Sequence, residues 1–195
     1  MTPGEAVLVR HAETEWTLSG QHTGRTDIPL TERGRLAAAA LAPRLAGHEF
    51  DLVLVSPSTR ALETCELCGL GAEAQVREDL LEWDYGEFEG LTSEEIHRRR
   101  PDWSLWRDGS PGGEGVADVG GRADRVILEV REARRTAVFS HGHMLRVLGA
   151  RWVELEPEDG SKLGLSPGSV SVLGYEHELP IVTRWNEMPI ASVTS

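Results

Sequence analysis

The stretch VLVRHAETEWTLSGQHTGRTDIPL, residues 7–30, decides how the rest of the chain is read. The apolar run that leads into it, Ala6-Val7-Leu8-Val9, stops at Arg10-His11 and gives way to a segment rich in Thr, Ser, Gly and His. A short apolar run bounded in this way is a buried strand ending in a polar loop. In open α/β sheets ligands bind outside the carboxyl ends of the strands, so a cation and an imidazole at that point face whatever the protein binds. Taken alone, the pair has a plainer reading, an arginine paired with a carboxylate beside a core histidine. The downstream sequence decides against it.

The same pattern recurs twice. Phe50–Val55 reads as a second buried strand, followed by Ser56-Pro57-Ser58-Thr59-Arg60 and a helix from Thr59 to Leu67 stopped by Gly69. Thr136–Phe139 is a third, and it delivers Ser140-His141-Gly142-His143 ahead of a helix from Met144 to Trp152. Arg60 falls in the first turn of its helix, where backbone amides also point outward, so guanidinium and amides together suit an anion. Earlier, Thr31 caps an alanine-rich helix that runs to Gly47, with Pro43 expected to kink or shorten it. Val76–Glu89 is acidic and aromatic and reads as a loop with one short strand at most. Thr92 and Glu95 form a capping box for a helix that Pro101 closes. Trp103 and Trp106, at helical spacing, read as core or lid packing ahead of a ligand platform, and the Gly-rich run 110–115 leads into a long helix from Val116 to Arg134. Residues Ser169–Trp185 alternate and turn at Glu176-His177-Glu178, the pattern of an antiparallel hairpin, and the tail beyond Met188 reads as loose. The expectation is one α/β domain over residues 1–195, with a lid-like insertion at approximately 83–115.

Composition narrows the partners. A formal net charge of −12 disfavours nucleic acid and anionic membrane surfaces, because repulsion acts before contact, while a small anion in a locally basic pocket stays compatible. No apolar run approaches membrane-spanning length and no signal-like segment opens the sequence, so a cytoplasmic location is expected. A homodimer is compatible with the sequence. Cys65 and Cys68 form a C-x-x-C without a second pair to complete a zinc tetrad, and they lie late in a helix, away from the end where thiolates are stabilised. They read as packing.

Two arginines and two histidines at neighbouring strand ends of an acidic protein suit a small, highly charged anion, and phosphate matches the guanidinium fork. A neutral imidazole nitrogen can attack phosphorus and divide hydrolysis into two easier steps. The leaving alkoxide then needs a proton. Glu82, in LLEWDYG, follows an apolar pair that would desolvate it and is the leading candidate, with Asp84 and Glu87 as rivals. A metal site is the competing reading, since His11, His22, His141 and His143 with Glu82 or Asp84 offer ligands. Adjacent arginines oppose a dication, so neither a metal nor another cofactor is expected.

Several motifs now stand in order: Arg10-His11-Ala12-Glu13-Thr14-Glu15-Trp16, Thr23-Gly24, Asp27-x-Pro29-Leu30-Thr31, Ser56-Pro57-x-x-Arg60-Ala61 with Thr64, Glu82-x-x-Tyr85-Gly86-x-x-Glu89-Gly90 and Ser140-His141-Gly142. Together they resemble the histidine phosphatase superfamily, also called phosphoglycerate-mutase-like, from Val7 to about Trp152. The resemblance implies a three-layer α/β/α fold with a mostly parallel sheet. It implies that His11 is the nucleophile, that Arg10, Arg60 and His141 bind the phosphate oxygens and that Glu82 is the proton donor. Thr23, Gly24 and Gly142 would add contacts, with Thr17 and Tyr85 at the same pocket. Two positions depart from the family pattern: Thr17 stands where mutases have an Asn on the phosphate, and Ala12 where Gly is usual. Thr14-Glu15-Trp16, Gln21-His22-Thr23-Gly24 and Trp106-Arg107-Asp108-Gly109 look like the small-phosphatase branch, which includes sedoheptulose-bisphosphatase-like enzymes and actinobacterial acid phosphatases. The implied activity is metal-independent hydrolysis of a small phosphorylated metabolite, a sugar or acid phosphate, through a phosphohistidine. The alternatives are mutase-type phosphoryl transfer and a non-catalytic module that binds a phospholigand.

Overall fold

In the computed structural model, which describes residues 4–188, the apolar runs become strands whose side chains sort strictly by parity. The strands are β1 (Glu5–Arg10), β2 (Leu52–Val55), β3 (Ala74–Val76), β4 (Arg135–Ser140), β5 (Val170–Glu176) and β6 (Leu179–Glu187). They form one sheet in the order β3-β2-β4-β1-β5-β6. β1 and β2 each pair parallel with β4, β3 pairs parallel with β2, and the β5–β6 hairpin joins β1 antiparallel. Ala6, Leu8, Leu54, Val138 and Leu173 point to one face. Val7, Val9, Val53, Val55, Ala137, Phe139 and Val172 point to the other. Burial on both faces explains why these strands read as continuous apolar runs.

Helices cover each face. They are α1 (Glu15–Ser19), α2 (Glu32–Ala39), α3 (Ala42–Leu45), α4 (Thr59–Leu67), α5 (Ser93–Arg99), α6 (Leu105–Asp108), α7 (Val116–Glu132) and α8 (Gly142–Trp152). Val119, Ala123, Val126, Ile127 and Val130 recur at helical spacing along α7 and share a core with Met144, Leu145 and Leu148 of α8. Leu41 and Leu45 with Ala61 and Cys65 of α4 fill the opposite layer. Each fully buried aliphatic side chain contributes on the order of 1.5–3 kcal/mol, so the two layers clamp the sheet between them. The architecture is the expected three-layer α/β/α.

The alanine-rich helix expected from Thr31 to Gly47 is in fact two helices. Thr31 does cap it, but α2 ends at Ala39 and α3 begins at Ala42 with Pro43 in its first turn. Proline has no N–H to donate and is tolerated in a first turn, so the break falls just before it. The edge strand β3 has only three residues, two of them exposed, and so carries no apolar signature. The hairpin turns where expected, with His177 at φ 56°. The tail beyond Met188 lies outside the described residues.

Register brings the site together. Arg10 is level with Ser140, and Val55 with Phe139. The His11 amide donates to the Ser140 carbonyl at 2.9 Å, and the Ser56 amide to that of Phe139 at 2.9 Å. Three strand ends therefore finish side by side. Residues 83–115 are attached to the same core, since Trp83, Tyr85, Phe88, Ile96, Trp103 and Leu105 are buried with α7 and α8. Among the described residues no helix is long and apolar enough to cross a membrane.

Candidate active site

His11 is buried, and its Nδ1 lies 2.8 Å from the Ala12 carbonyl oxygen. A carbonyl only accepts, so Nδ1 carries the hydrogen and Nε2 is left bare. Burial, then the charges of Arg10 and Arg60, hold this imidazole well below its ordinary pKa. It is neutral at pH 7. Arg10 lies against the start of α8 so closely that a Cβ at Gly142 would come within 3.1 Å of its Cζ, and glycine is needed there for that approach. One Arg10 nitrogen, Nε, is inaccessible to solvent and has no protein partner, while Nη1 donates to the Leu165 carbonyl.

The ring of His141 lies 5.2 Å from that of His11 and is completely buried. Its Nδ1 receives a hydrogen bond from Arg60 Nε at 3.2 Å, so Nε2 carries the hydrogen and donates to Ser56 Oγ at 2.7 Å. Burial, then Arg60, His11 and Arg10, hold His141 well below the usual imidazole value. Arg60 itself is fully buried. Three more of its N–H groups go to the carbonyls of Thr23, Gly24 and Thr26, each at 3.1 Å. The helix amide at Thr59 goes to Asp27 Oδ1 at 2.9 Å. Guanidinium and helix start therefore brace His141 and the 23–26 loop, where sequence reasoning had turned them toward an anion. Glu89 grips the same loop from its other side, accepting from the amides of Gly24 at 2.9 Å and Thr26 at 3.0 Å. A Cβ on Gly24 would meet Glu89 Oε2 and the Trp83 carbonyl, both at 2.7 Å.

Glu82 is buried beside the first turn of α8. Its Oε1 accepts from the amides of Trp83 and Met144, both at 2.9 Å, and its Oε2 from that of His143 at 3.0 Å. Oε1 has both lone pairs occupied, so Oε2 is the oxygen with capacity to spare. The segment that carries Glu82 is pinned by Arg122 of α7. That guanidinium donates to the carbonyls of Asp79 at 2.8 Å and Leu81 at 2.7 Å, and pairs with both oxygens of Glu114 at 2.8 Å.

These groups open on a cleft of about 210 Å³ lined by Arg10, His11, Thr17, Thr23, Glu82 and Tyr85, with Trp16, His22, Ser93 and His143 among its walls. Tyr85 is buried, and burial, then Glu82, push its pKa well up, so the hydroxyl keeps its hydrogen. It is hydrogen-bonded to His143 Nδ1 at 2.7 Å. Burial, then Arg146, hold His143 well below the ordinary imidazole value.

A sequence profile described as the histidine phosphatase superfamily, branch 1, matches residues 6–188. The chain belongs to this superfamily. An acid phosphatase of Mycobacterium tuberculosis is 41% identical over 176 residues, 88% of this chain and 86% of that one. A sedoheptulose 1,7-bisphosphatase of Saccharomyces cerevisiae is 34% identical over 189 residues, covering 80% of this chain and 69% of the relative. Among solved structures, the open reading frame Rv3214 of M. tuberculosis superposes with a TM-score of 0.90 at 38% identity, covering 96% of this chain and 99% of the other. Mycobacterial glucosyl-3-phosphoglycerate phosphatase superposes with a TM-score of 0.84 at 26% identity, over 94% and 98%.

Two features of this histidine phosphatase depart from the family pattern, and both have a physical account. The Ala12 methyl is buried with Leu30 and Ala38, and the Ala12 amide donates to Thr64 Oγ1 at 3.1 Å. Its side chain belongs to an apolar cluster. The Thr17 hydroxyl donates to the Thr14 carbonyl at 2.8 Å and accepts from the Thr14 amide at 2.9 Å, completing the cap of α1. A hydroxyl so engaged lines the cleft without offering it a free donor. Cys65 and Cys68 are free and buried, and burial pushes both thiols up to about 12. The competing metal reading finds no geometry: among the described residues, no three His, Cys, Asp or Glu side chains converge to hold an ion. Sequence reasoning missed Ser56, Glu89 and Asp27 as braces, although each lies in a quoted motif. It weighed His22 and His143 only as metal ligands.

Proposed function

We propose that the protein is a metal-independent phosphomonoesterase that hydrolyses small phosphorylated metabolites through a phosphohistidine on His11. The observation that carries this reading is the bare Nε2 of a neutral, buried His11 beside Arg10. In the first step Nε2 attacks phosphorus, the P–O ester bond breaks, and Glu82 Oε2 gives its proton to the leaving alkoxide. In the second, water attacks phosphorus, its proton passes to Glu82, and the P–N bond breaks to release phosphate. Arg10, which lines the cleft beside His11, supplies charge at the transferring oxygens. Arg60 and His141 brace the pocket from behind, their hydrogen-bonding groups spent on one another, on Ser56 and on the 23–26 loop, and Thr23 lines the wall.

Guanidinium groups here fill the electrostatic role a dication plays elsewhere, so activity should survive prolonged EDTA treatment. Phosphoglycerate mutases also match this chain, one from Methylobacterium radiotolerans at 37% identity. The commitment of Thr17 to its helix cap argues against mutase chemistry, because the hydroxyl cannot replace the Asn that mutases use. Alkaline-quenched mass spectrometry during turnover of p-nitrophenyl phosphate tests the proposal. The expected adduct is one phosphoryl group on His11, lost on acidification and absent in His11→Ala. An adduct on His141 or on a serine would overturn the assignment.

A further inference from the structure

Beside the cleft lies a second cavity of about 230 Å³ lined by His22, Ser93, His97, Trp103, Ser104, Leu105, Trp106 and His143. It shares His22, Ser93 and His143 with the first, so the two join into one trough that leads away from His11. We propose that this second cavity is the seat of the leaving group, and that it selects an uncharged, polyhydroxylated chain over one that carries a carboxylate or a second phosphate. The proposal rests on the phosphatase reading, since it assumes that the phosphoryl group occupies the His11 end.

Three observations support it. The first is the shortage of cations. Arg10, at the phosphoryl end, is the one Lys or Arg side chain among the described residues lining either cavity. Arg146 is nearby, but its guanidinium lies 4.7 Å from the ring centre of Trp106 and donates to the carbonyls of Gly160 and Ser161. A second anionic group would normally be met by a guanidinium or an ammonium, and neither lines this cavity among the described residues.

The second observation is a pair of imidazole nitrogens left to the trough. His22 Nδ1 lies 2.7 Å from the Leu91 carbonyl, so it donates there and leaves Nε2 as an acceptor. His143 Nδ1 is engaged by the Tyr85 hydroxyl at 2.7 Å, which leaves its Nε2 to donate or accept. The two rings are stacked, with centroids 6.4 Å apart at 12°. Neither Nε2 has a protein partner, and neither is among the solvent-inaccessible orphan atoms. Both therefore open on the trough. Vicinal hydroxyls, each both donor and acceptor, suit such a pair. The third observation is the apolar floor, made by the indoles of Trp103 and Trp106, against which the C–H face of a polyol packs.

Sorbitol 6-phosphate and 6-phosphogluconate test this directly, because these open six-carbon chains differ only at C1, CH2OH against a carboxylate. Calorimetric titration into His11→Ala reads binding without turnover, so its result is independent of whether phosphate is ever released. The polyol should bind at least about tenfold more tightly. Adding a cation through His22→Arg or Ser93→Lys should shrink that ratio by about tenfold or reverse it, and two variants guard against one that fails to fold. Equal binding, or tighter binding of 6-phosphogluconate, would overturn the proposal, as would a ratio unmoved in a folded variant. Phosphate release by the unmodified protein is scored separately. Its absence with every ester would count against the phosphatase reading, while the binding ratio would still judge the trough.

Discussion

Arg60 and His141 are joined by one hydrogen bond, Nε to Nδ1 at 3.2 Å, and the same guanidinium holds the carbonyls of three loop residues. One planar fork thus fixes both the ring and the wall beside it. A lysine brings the charge but cannot reach four acceptors in four directions. Arg60→Lys should lower kcat/KM for p-nitrophenyl phosphate by about 10², the size of a small misplacement of the reacting groups by a residue that acts through others. A folded variant within about threefold of the unmodified rate would show that the geometry of the fork has no role.

Glu82 accepts three amide hydrogens, two on Oε1 and one on Oε2. In Glu82→Gln the amide NH2 must face at least one of those donors, so a small loss of stability, about 1–3 kcal/mol, is expected beside the chemical effect. Turnover of alkyl phosphates should fall by about 10²–10⁴. Burst-phase phosphorylation by p-nitrophenyl phosphate should fall far less, because that leaving group hardly needs a proton. Equal losses for both substrates would remove Glu82 from the acid role.

Stability should drop on the acid side through three imidazoles. Burial is the leading reason that His11, His141 and His143 are held well below their ordinary pKa. In the unfolded chain each takes up a proton below about pH 6.5, whereas the folded forms do not. Stability is thus complete above that value and is lost as pH falls from it toward the folded-state values, by up to about 1.4 kcal/mol per unit for each ring. Urea unfolding of His143→Phe at about pH 7 and about pH 5.5 checks this: the gap between the two should shrink by about 1–2 kcal/mol. An unchanged gap would show that the folded His143 is protonated.

Thr136, in the middle of the sheet on β4, is completely buried and its hydroxyl has no partner. An unmet buried hydroxyl is costly, and a methyl group of the same shape removes the cost. Thr136→Val should raise stability by about 1 kcal/mol, read as a shift in the urea midpoint. A clear destabilisation would mean that a water satisfies the hydroxyl.

The strand ends were legible because each apolar run halts at a charged or hydroxyl residue, and a parallel register makes those halts coincide. Helix ends were legible where a capping residue or proline marks them, as at Thr31 and Thr92. The break before Pro43 was only half visible, since a proline disturbs a helix without saying whether it kinks it or divides it. What stayed hidden is what depends on tertiary contact. Two of the three amides on Glu82 belong to residues about sixty positions away. The partners of Arg60 are backbone carbonyls, which carry no residue code. The role of His143 depends on a tyrosine from a separate loop.

The start of α8 bears on how this scaffold can change. Within four residues it supplies His141, the glycine that admits Arg10, and two of the amides that hold Glu82. A single inserted or deleted residue there would displace both halves of the reaction at once, so this part of the chain is inherited whole or lost. Ser93, Trp103 and Trp106 are held by a different segment, which supplies none of those groups. On the proposed reading, drift at Ser93, Trp103 and Trp106 alters the seat of the leaving group while the start of α8 stays constant, whereas His143 belongs to both and ties the two together.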